Sequence, residues 1–204
     1  MSNISNIIPI HKKGPTSDPD KYRPIALSSC LGKIYAQLIL NKVQEERRTK
    51  CPEAINQAGF CKGAMTVDHI LTIQTIVQKY KKLKMPVYGA FIDFAKAFDT
   101  VWRHALLVKL AEMGLNATLM RTIVEYYRER TACLKMKQGK TDSFPTKKGA
   151  IQGEPPSPEL FKGYIHDLSP LLDEAKDLPE LDKLVISHLL WADDLFLNSL
   201  SPGP

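Results

Sequence analysis

Two short apolar segments lie far apart in the chain, and both carry aspartate. "VYGAFIDF" spans residues 87–94 with Asp93 near its end, and "LVISHLLWADDLF" spans residues 184–196 with the adjacent Asp193 and Asp194. The first segment is almost continuously apolar and rich in aromatic and β-branched residues, which predicts a buried strand. The second predicts a hairpin with both aspartates in its turn. If the two strands are neighbours in one sheet, three carboxylates meet at its edge.

Carboxylates that converge at one sheet edge are suited to holding metal ions. Mg²⁺ is usually held by one or two carboxylates together with substrate phosphates. Two such ions, about 3.5–4 Å apart, can activate an attacking hydroxyl and stabilise the leaving oxygen of a phosphoryl transfer. Two alternatives stay open. Asp193 and Asp194 can form an ordinary turn, and Asp99 competes with Asp93, although Asp99 can equally be a helix cap or a surface charge.

The chain before and between these strands shows helical periodicity. Apolar residues recur at helical spacing from Leu31 to about Glu46, and again after Thr66, which can cap the second helix. The positions expected to face the core are Leu31, Ile34, Tyr35 and Leu38 in the first helix, and Val67, Ile70, Leu71, Ile73, Val77 and Tyr80 in the second. Both segments therefore predict amphipathic helices.

The later part of the chain alternates helices with hairpins. Helices are predicted near residues 103–113, ended by Gly114, and again after Asn116. A hairpin is predicted around Gly139, and Ser157 has the chemistry of the N-cap of another helix. This mixed order of helices and strands predicts an α+β fold rather than regular βαβ winding.

Composition narrows the possible partners and compartments. The 204 residues are 44% hydrophobic and 25% charged, with a net charge of +6, so the chain can bury a core and favours an acidic partner such as nucleic acid. Its four cysteines form no CxxC pair, which argues against a disulfide framework or a structural zinc site. No apolar run approaches the roughly 20 residues that cross a bilayer. We expect an intracellular protein, nuclear or cytoplasmic, without a targeting signal and without a membrane partner.

Several segments, taken in order, resemble the motifs of reverse transcriptases from non-LTR, LINE-type retrotransposons. "AFIDFAKAFDTVWRHALLVKL" resembles their first palm motif, "KKGAIQGEPPSPELFKGYIHDL" the second and "LLWADDLF" the third. Upstream, "IIPIHKKG", "KYRPIALSSCLGKIYAQLILNKV" and "NQAGFCKGAMTVDHI" are similar to the fingers segments of the same family. The resemblance implies right-hand polymerase fingers in residues 1–85 and a partial palm in residues 86–204. The palm sheet would be RNA-recognition-like, packed with helices, and no thumb would follow.

The same resemblance implies RNA-directed DNA polymerase activity, with an RNA template, a DNA primer and dNTPs as partners. Asp93, Asp193 and Asp194 would surround two Mg²⁺ ions, for which Mn²⁺ can substitute. Asp193, the first residue of the adjacent pair, would be the stronger metal ligand of the two.

The residues that would bind the nucleotide are also implied by the resemblance. Arg23 matches the arginine that grips the triphosphate, and Phe98 the aromatic residue beside the sugar, where a rigid ring excludes a 2′-hydroxyl. Gln152 and Gly153 match the segment that packs against nucleotide and template, where glycine permits close backbone approach. The alternatives are a surface arginine, a core phenylalanine and an ordinary loop before a helix.

Four lysines are candidates for contacts with nucleic acid. Lys12 and Lys13 follow the first predicted strand, and Lys147 and Lys148 precede the second palm motif. Basic side chains at these places can contact phosphates, although solvated basic runs explain them equally well.

Three departures from the family pattern bear on activity. Trp191 stands where the family usually has Tyr, and Pro156 where it commonly has Leu. The chain also ends ten residues after Asp194, whereas the family continues with more palm, a primer-gripping hairpin and a thumb. A fragment of this kind is expected to expose apolar surface from Leu184 to Leu190 and to self-associate through the truncated palm.

Two other functions stay open at this point. One is a non-catalytic remnant of a retrotransposon polymerase that binds nucleic acid through its basic side chains. The other is a palm-type enzyme that uses two metals for different nucleotide chemistry, such as a cyclase. The first would not need the aspartates, and the second would consume nucleoside triphosphate without a template.

Overall fold

The computed structural model describes residues 4–51 and 56–202. The chain forms two compact units. Unit 1 consists of Met1–Pro52 and Phe98–Tyr164, and unit 2 of Glu53–Ala97 and Ile165–Pro204. Each unit is therefore built from two separate stretches of chain. Because these units do not coincide with residues 1–85 and 86–204, the fingers and palm assignment of those two segments stays a prediction.

Strands and helices alternate along the described residues. The strands are β1 (Ile4–His11), β2 (Tyr22–Leu27), β3 (Tyr88–Asp93), β4 (Thr131–Met136), β5 (Gly139–Lys140), β6 (Phe144–Pro145), β7 (Glu180–Leu181), β8 (Leu184–Val185), β9 (His188–Trp191) and β10 (Asp194–Ser199). The helices are α1 (Cys30–Lys50), α2 (Thr66–Lys82), α3 (Ala97–Thr100), α4 (Arg103–Glu112), α5 (Ala117–Tyr127), α6 (Ser157–Tyr164) and α7 (Leu168–Asp173). The predicted α+β class is confirmed.

Unit 1 contains a five-stranded sheet and a layer of helices. The strand order is β2-β1-β4-β5, with β6 also paired to β4. The β1–β4 pair is parallel and the β1–β2 pair antiparallel. Helix α1 packs on α5 and α6, and α4 packs on the same two helices. The core between these helices contains the side chains of Ile39, Val43, Leu106, Leu110, Ile123, Leu160 and Phe161, each 3% exposed or less.

Helix α1 turns a different face to the core from the predicted one. Leu31, Ile34, Tyr35 and Leu38 are all exposed, with 37–68% of their surface accessible. The buried stripe is Ala36, Ile39, Val43 and Arg47. Arg47 forms a buried ion pair with Glu159 of α6, and this contact joins the two helices. A charged position thus belongs to the core stripe, which a pattern of apolar residues cannot reveal.

The later helices of unit 1 follow the sequence more closely. Gly114, with φ +80°, follows α4, and the side-chain oxygen of Asn116 accepts from the Leu119 amide as the N-cap of α5. The predicted hairpin of β4 and β5 is present, but its turn consists of Lys137 and Gln138, and Gly139 is the first residue of β5. Ser157 is not an N-cap: it is the first residue of α6, and its hydroxyl donates to the carbonyl of Ile151.

Unit 1 also buries an ion pair away from these helix contacts. Glu154 is 3% exposed and Arg130 is 8% exposed, and their side chains meet at 2.5 Å. The Tyr126 hydroxyl donates to Glu154 at 3.0 Å, and the Ser28 hydroxyl donates to the same carboxylate. The Arg130 guanidinium lies 4.6 Å from the centre of the Tyr126 ring. The buried carboxylate is therefore fully surrounded by donors.

Unit 2 contains the three-stranded antiparallel sheet β3-β10-β9, with α2 packed on it. Its buried cluster is Ile76, Tyr80, Ile186 and Leu189. Helix α2 begins after Met65, whose amide donates to the Asp68 side chain, so Thr66 is not the cap. Of the six positions predicted to face the core from α2, only Tyr80 is buried; Val67, Ile70, Leu71 and Val77 are 49–60% exposed.

Two burial predictions in unit 2 are wrong in opposite directions. Strand β3 is exposed along its whole length, and Phe91 reaches 79% exposure. It pairs only with β10 among the described residues, which leaves one edge open. By contrast, residues 186–190, predicted to be exposed, are buried, and only Leu184 and Val185 of that stretch are accessible. Strand β3 therefore exposes apolar side chains that residues 186–190 do not, and self-association stays a prediction.

A buried histidine joins α7 to this sheet. His188 of β9 is 0% exposed, and its Nε2 lies 2.9 Å from the Ser169 hydroxyl. Its Nδ1 lies 2.6 Å from the Ser187 hydroxyl and 3.6 Å from an Asp173 oxygen. No helix in residues 4–51 and 56–202 has the length and apolar character that crossing a membrane requires.

Candidate active site

The two aspartate-bearing segments are neighbours in the sheet of unit 2, which was the condition that the sequence left open. Strand β3 pairs antiparallel with β10, and Asp93 lies directly opposite Asp194. Residues opposed in this way project from the same face of a sheet. Asp194 is the first residue of β10 rather than part of the turn, which consists of Ala192 and Asp193. The two aspartates thus lie side by side where β3 ends and β10 begins. Asp193 directly precedes Asp194 in the chain.

The charges of the three aspartates act on one another. Partial burial raises the pKa of the Asp194 carboxyl, and the negative charges of Asp193 and then Asp93 raise it further. A bound cation would relieve this repulsion. Across residues 4–51 and 56–202, no three His, Cys, Asp or Glu side chains form a group that could hold a metal. The paired Asp93 and Asp194 still fit Mg²⁺, because it needs only one or two carboxylates when substrate phosphates supply other ligands.

The turn that precedes Asp194 is supported by residues 56–59, and the sequence had given no role to this support. Gln57 Oε1 accepts from the Gly59 amide at 2.8 Å and from the Ala192 amide at 3.2 Å. Ala192 has φ +60°, which costs energy in a residue with a side chain. A Cβ on Gly59 would lie 2.7 Å from Ala192 Cα, so only glycine fits there. The only indication of this support in the sequence was the segment "NQAG" at residues 56–59.

A cavity of about 350 Å³ lies beside the aspartate pair in unit 2. It is lined by His69, Ile70, Ile73, Phe91, Ile92, Asp93, Leu189, Trp191, Asp194, Leu195 and Phe196. The His69 ring meets the Trp191 ring edge-on, with 5.9 Å between centroids. Burial lowers the pKa of His69, and the charge of Asp68 opposes that shift. His69 is therefore part of the wall of this cavity and not only a helix-face residue.

The residues predicted to bind the nucleotide lie in unit 1. The amide of Ala26 in β2 donates to the Gln152 carbonyl at 2.8 Å. Gly153 has φ +97°, and a Cβ there would lie 2.6 Å from the Ala26 carbonyl oxygen. Glycine is thus required for the close approach of this segment to β2. Arg23 lies three residues earlier on the same strand, with an exposed side chain.

Phe98 belongs to the same group of contacts. Its carbonyl accepts from the Ala150 amide at 2.8 Å, and its half-buried ring stacks on Phe161 with 4.5 Å between centroids. The Gln152 side chain donates from Nε2 to an Asp99 oxygen at 2.9 Å. Phe98, Gln152 and Gly153 are thereby connected within unit 1, whereas the three aspartates are together in unit 2.

The four candidate lysines are all exposed. Lys147 and Lys148 lie on a loop that is held by Arg103, whose guanidinium donates to the carbonyls of Thr146, Lys148 and Gly149. Lys12 and Lys13 follow β1, where the Lys12 amide donates to the Lys21 carbonyl. All four ammonium groups are accessible for phosphate contacts.

Paired carboxylates can hold the metal ions with which many enzymes transfer phosphoryl groups. Residues 10–202 match the family described as "Reverse transcriptase (RNA-dependent DNA polymerase)", and the chain belongs to this family. The resemblance found in the sequence motifs is confirmed.

The relatives are polymerases of non-LTR retrotransposons. The chain is 30% identical over 191 residues to the RNA-directed DNA polymerase from mobile element jockey of Drosophila melanogaster, covering 93% of this chain and 20% of that protein. It is 24% identical over 190 residues to the Pol polyprotein of the type-1 retrotransposable element R2 of Popillia japonica, covering 92% and 26%. This chain therefore spans about a fifth to a quarter of the length of these relatives.

Solved telomerase structures share the fold. The truncated apo telomerase from Candida tropicalis superposes with a TM-score of 0.63 at 17% identity, covering 98% of this chain and 44% of that one. The apo telomerase from the same organism gives a TM-score of 0.65 at 15% identity, covering 98% and 40%. At these identities the likeness shows a common fold.

Proposed function

We propose that this chain carries the polymerising centre of an RNA-directed DNA polymerase. The reaction is attack of a primer 3′-hydroxyl on the α-phosphate of a dNTP, directed by an RNA template. The observation that carries the proposal is the register of β3 and β10, which puts Asp93 directly opposite Asp194. Membership of the reverse transcriptase family supports the same reaction.

Asp93 and Asp194, with Asp193 beside them, would hold the Mg²⁺ ions, or Mn²⁺ in their place. When bound, two such ions activate the attacking hydroxyl and stabilise the leaving oxygen. The three aspartates themselves contribute negative charge at a fixed position, since the backbone of the β9–β10 turn is held by Gln57. The register of β3 and β10 supports Asp194 as a partner of Asp93 in this role, and Asp193 stays the stronger metal ligand that the sequence resemblance implies.

The nucleotide would be bound by Arg23, Phe98, Gln152 and Gly153. Arg23 offers a planar, permanently charged group for the triphosphate. The Phe98 ring, fixed by its stack on Phe161, would leave no room for a 2′-hydroxyl. Gly153 permits close approach of backbone, and the Gln152 amide is already oriented by Asp99.

Template and primer would be held through charge. The net charge of +6 and the exposed Lys12, Lys13, Lys147 and Lys148 suit phosphate backbones. Residues 1–85 would act as fingers and residues 86–204 as a partial palm.

The test is extension of a labelled DNA primer on an RNA template with Mg²⁺ and dNTPs. We expect extension by the wild type and a loss of about 100-fold or more in Asp194→Asn and in Asp93→Asn. Asp142→Asn, which changes an exposed aspartate of unit 1, is the matched control and should extend normally. A folded wild type that binds primer–template without extending it, with binding unchanged in Asp194→Asn, contradicts the proposal and identifies a non-catalytic binder.

A further inference from the structure

Two rows of side chains cross one face of the three-stranded sheet in unit 2. The first row is Trp191, Asp194 and Asp93, and the second, two residues further along β10, is Leu189, Phe196 and Phe91. Directly opposed residues share a face of a sheet, and so do alternate residues of one strand. A row with two negative charges therefore lies beside a wholly apolar row on the same surface.

Helix α2 covers part of this face. The His69 ring contacts the Trp191 ring edge-on, and Ile73 packs together with Phe196 against the buried cluster that contains Leu189. Residues of α2 and of all three strands line the cavity of about 350 Å³, which therefore lies between the helix and the sheet. Pockets that hold small organic molecules have volumes of about 300–1,000 Å³, so this cavity has room for a ligand of one or two rings.

The walls of this cavity are mainly apolar and aromatic. The rings of Phe91 and Phe196 lie with 4.8 Å between their centroids. Phe91 is 79% exposed and Ile70, on the helix side, is 60% exposed. A flat apolar group in the cavity would remove both of these side chains from water, which favours binding.

The charge at the cavity is negative. Asp93 and Asp194 both line it and are both exposed. The Asp194 carboxyl is acted on by the negative charges of Asp193 and Asp93. This arrangement repels an anion and attracts a cation. Trp191, directly opposite Asp194, adds an indole ring, the side chain that attracts organic cations most strongly.

We propose that this cavity binds a small aromatic cation, with its ring on the apolar row and its ammonium group at the carboxylates of Asp93 and Asp194. Binding needs only the cavity and the two carboxylates, so it does not depend on the proposed function. A ligand in this position would occupy the carboxylates that the proposed function assigns to metal ions. It would therefore inhibit primer extension by competing with those ions.

The test measures binding of 2-naphthylmethylamine to the whole chain by calorimetric titration at pH 7. The neutral analogue 2-naphthylmethanol and the anion 2-naphthoate are titrated beside it. We expect the amine to bind roughly three- to tenfold more tightly than the alcohol, and the naphthoate to bind most weakly. Asp93→Asn and Asp194→Asn should each reduce the advantage of the amine and leave the affinity for the alcohol unchanged. Asp142→Asn, which changes an exposed aspartate of unit 1, is the matched control and should keep the full advantage.

A second variant tests the place of the aromatic ring. Ile70→Gln replaces an exposed apolar side chain by a polar one of similar length, and it should weaken the amine and the alcohol by the same factor. Urea unfolding of each variant separates a lost contact from a lost fold.

Three results overturn the inference: equal affinities for the amine and the alcohol, an amine advantage that survives both aspartate variants, or unchanged affinities in Ile70→Gln. Equal inhibition of primer extension by the amine and the alcohol overturns the placement of the ammonium group at the carboxylates. Failure of the folded wild type to extend a primer contradicts the proposed function alone, because the titrations contain no primer, template or dNTP.

Discussion

Asp93 and Asp194 lie opposite each other in the β3–β10 pair although they are separated by a hundred residues of chain that includes helices α3 to α7. Antiparallel register places their side chains on one face of the sheet, and Asp193 adds a third negative charge next to them. This crowding is unfavourable in the absence of a cation. The same relationship that would favour a bound cation therefore reduces the stability of the metal-free fold.

Asp194→Asn should stabilise the metal-free protein at neutral pH. The pKa of Asp194 is raised in the folded state from its ordinary value of 3.8, so the folded state takes up this proton more readily than the unfolded state. The resulting stabilisation is complete below pH 3.8 and is lost as the pH rises through the folded pKa. Urea unfolding in EDTA should give the variant a higher midpoint than the wild type at pH 7. The two midpoints should converge near pH 3.5, and equal midpoints at pH 7 would count against the idea.

Gly59→Ala should disrupt the turn that carries Asp193. The added methyl would overlap the backbone of Ala192, which cannot move without losing its bond to Gln57. We expect a loss of about 1–3 kcal/mol in the free energy of unfolding, together with loss of primer extension. Gly63→Ala is the control: Gly63 has φ +87° but open space around it, so only about 1 kcal/mol of backbone strain is expected. Equal losses in the two variants would show that packing at Gly59 is not the cause.

Glu154→Ala should destabilise unit 1 strongly. It would leave the buried Arg130 guanidinium without its counter-charge and remove the acceptor of the Tyr126 hydroxyl. Breaking a buried pair in this way costs about 3–5 kcal/mol, whereas an exposed pair is worth about 0–1 kcal/mol. Glu125→Ala breaks the exposed Glu125–Arg128 pair at the end of α5 and is the comparison. Similar urea midpoints for the two variants would contradict the assignment of Glu154 to a buried network.

Acid should weaken unit 2 through His188. Burial lowers the pKa of His188 from its ordinary value of 6.5, and the charge of Asp173 opposes that shift. The neutral ring therefore contributes stability that is complete above pH 6.5 and is lost as the pH falls through the folded pKa. Between pH 7.5 and 5, the urea midpoint of the wild type should fall more than that of His188→Gln. The exposed His104→Gln variant should keep the wild-type slope, and a residual slope in His188→Gln is expected from His69, whose pKa is also lowered.

The sequence predicted those features that depend on local chemistry. Asn116 as the N-cap of α5, Gly114 after α4 and the hairpin at Gly139 each follow from the preferences of one or two residues. The strands that carry Asp93 and Asp194 were predicted from their apolar composition, and the register shows that they are neighbours. For the candidate site, the aspartates and the family could therefore be predicted from the sequence.

The features that depend on distant partners were not predictable. Helix α1 is apolar around most of its first half, so periodicity could not select which of its faces is buried. The buried face is the one that carries Arg47, which pairs with Glu159 of α6. Strand β3 is exposed and pairs only with β10 among the described residues, and composition predicts neither feature. The support of Ala192 by Gln57 joins residues 135 positions apart, and the hydrogen bond from Gln152 to Asp99 joins residues 53 positions apart.

The same separation of Gln57 from Ala192 has a consequence during synthesis on the ribosome. Gln57 is translated 135 residues before its partner, and elongation proceeds at roughly 5–20 residues per second, so the segment waits roughly 7–27 s for the turn that it supports. Until then Asp93 has no Asp194 to face, and a nascent chain carries no carboxylate pair. The end of the sheet that carries the paired aspartates is thus among the last parts of the described chain to be assembled.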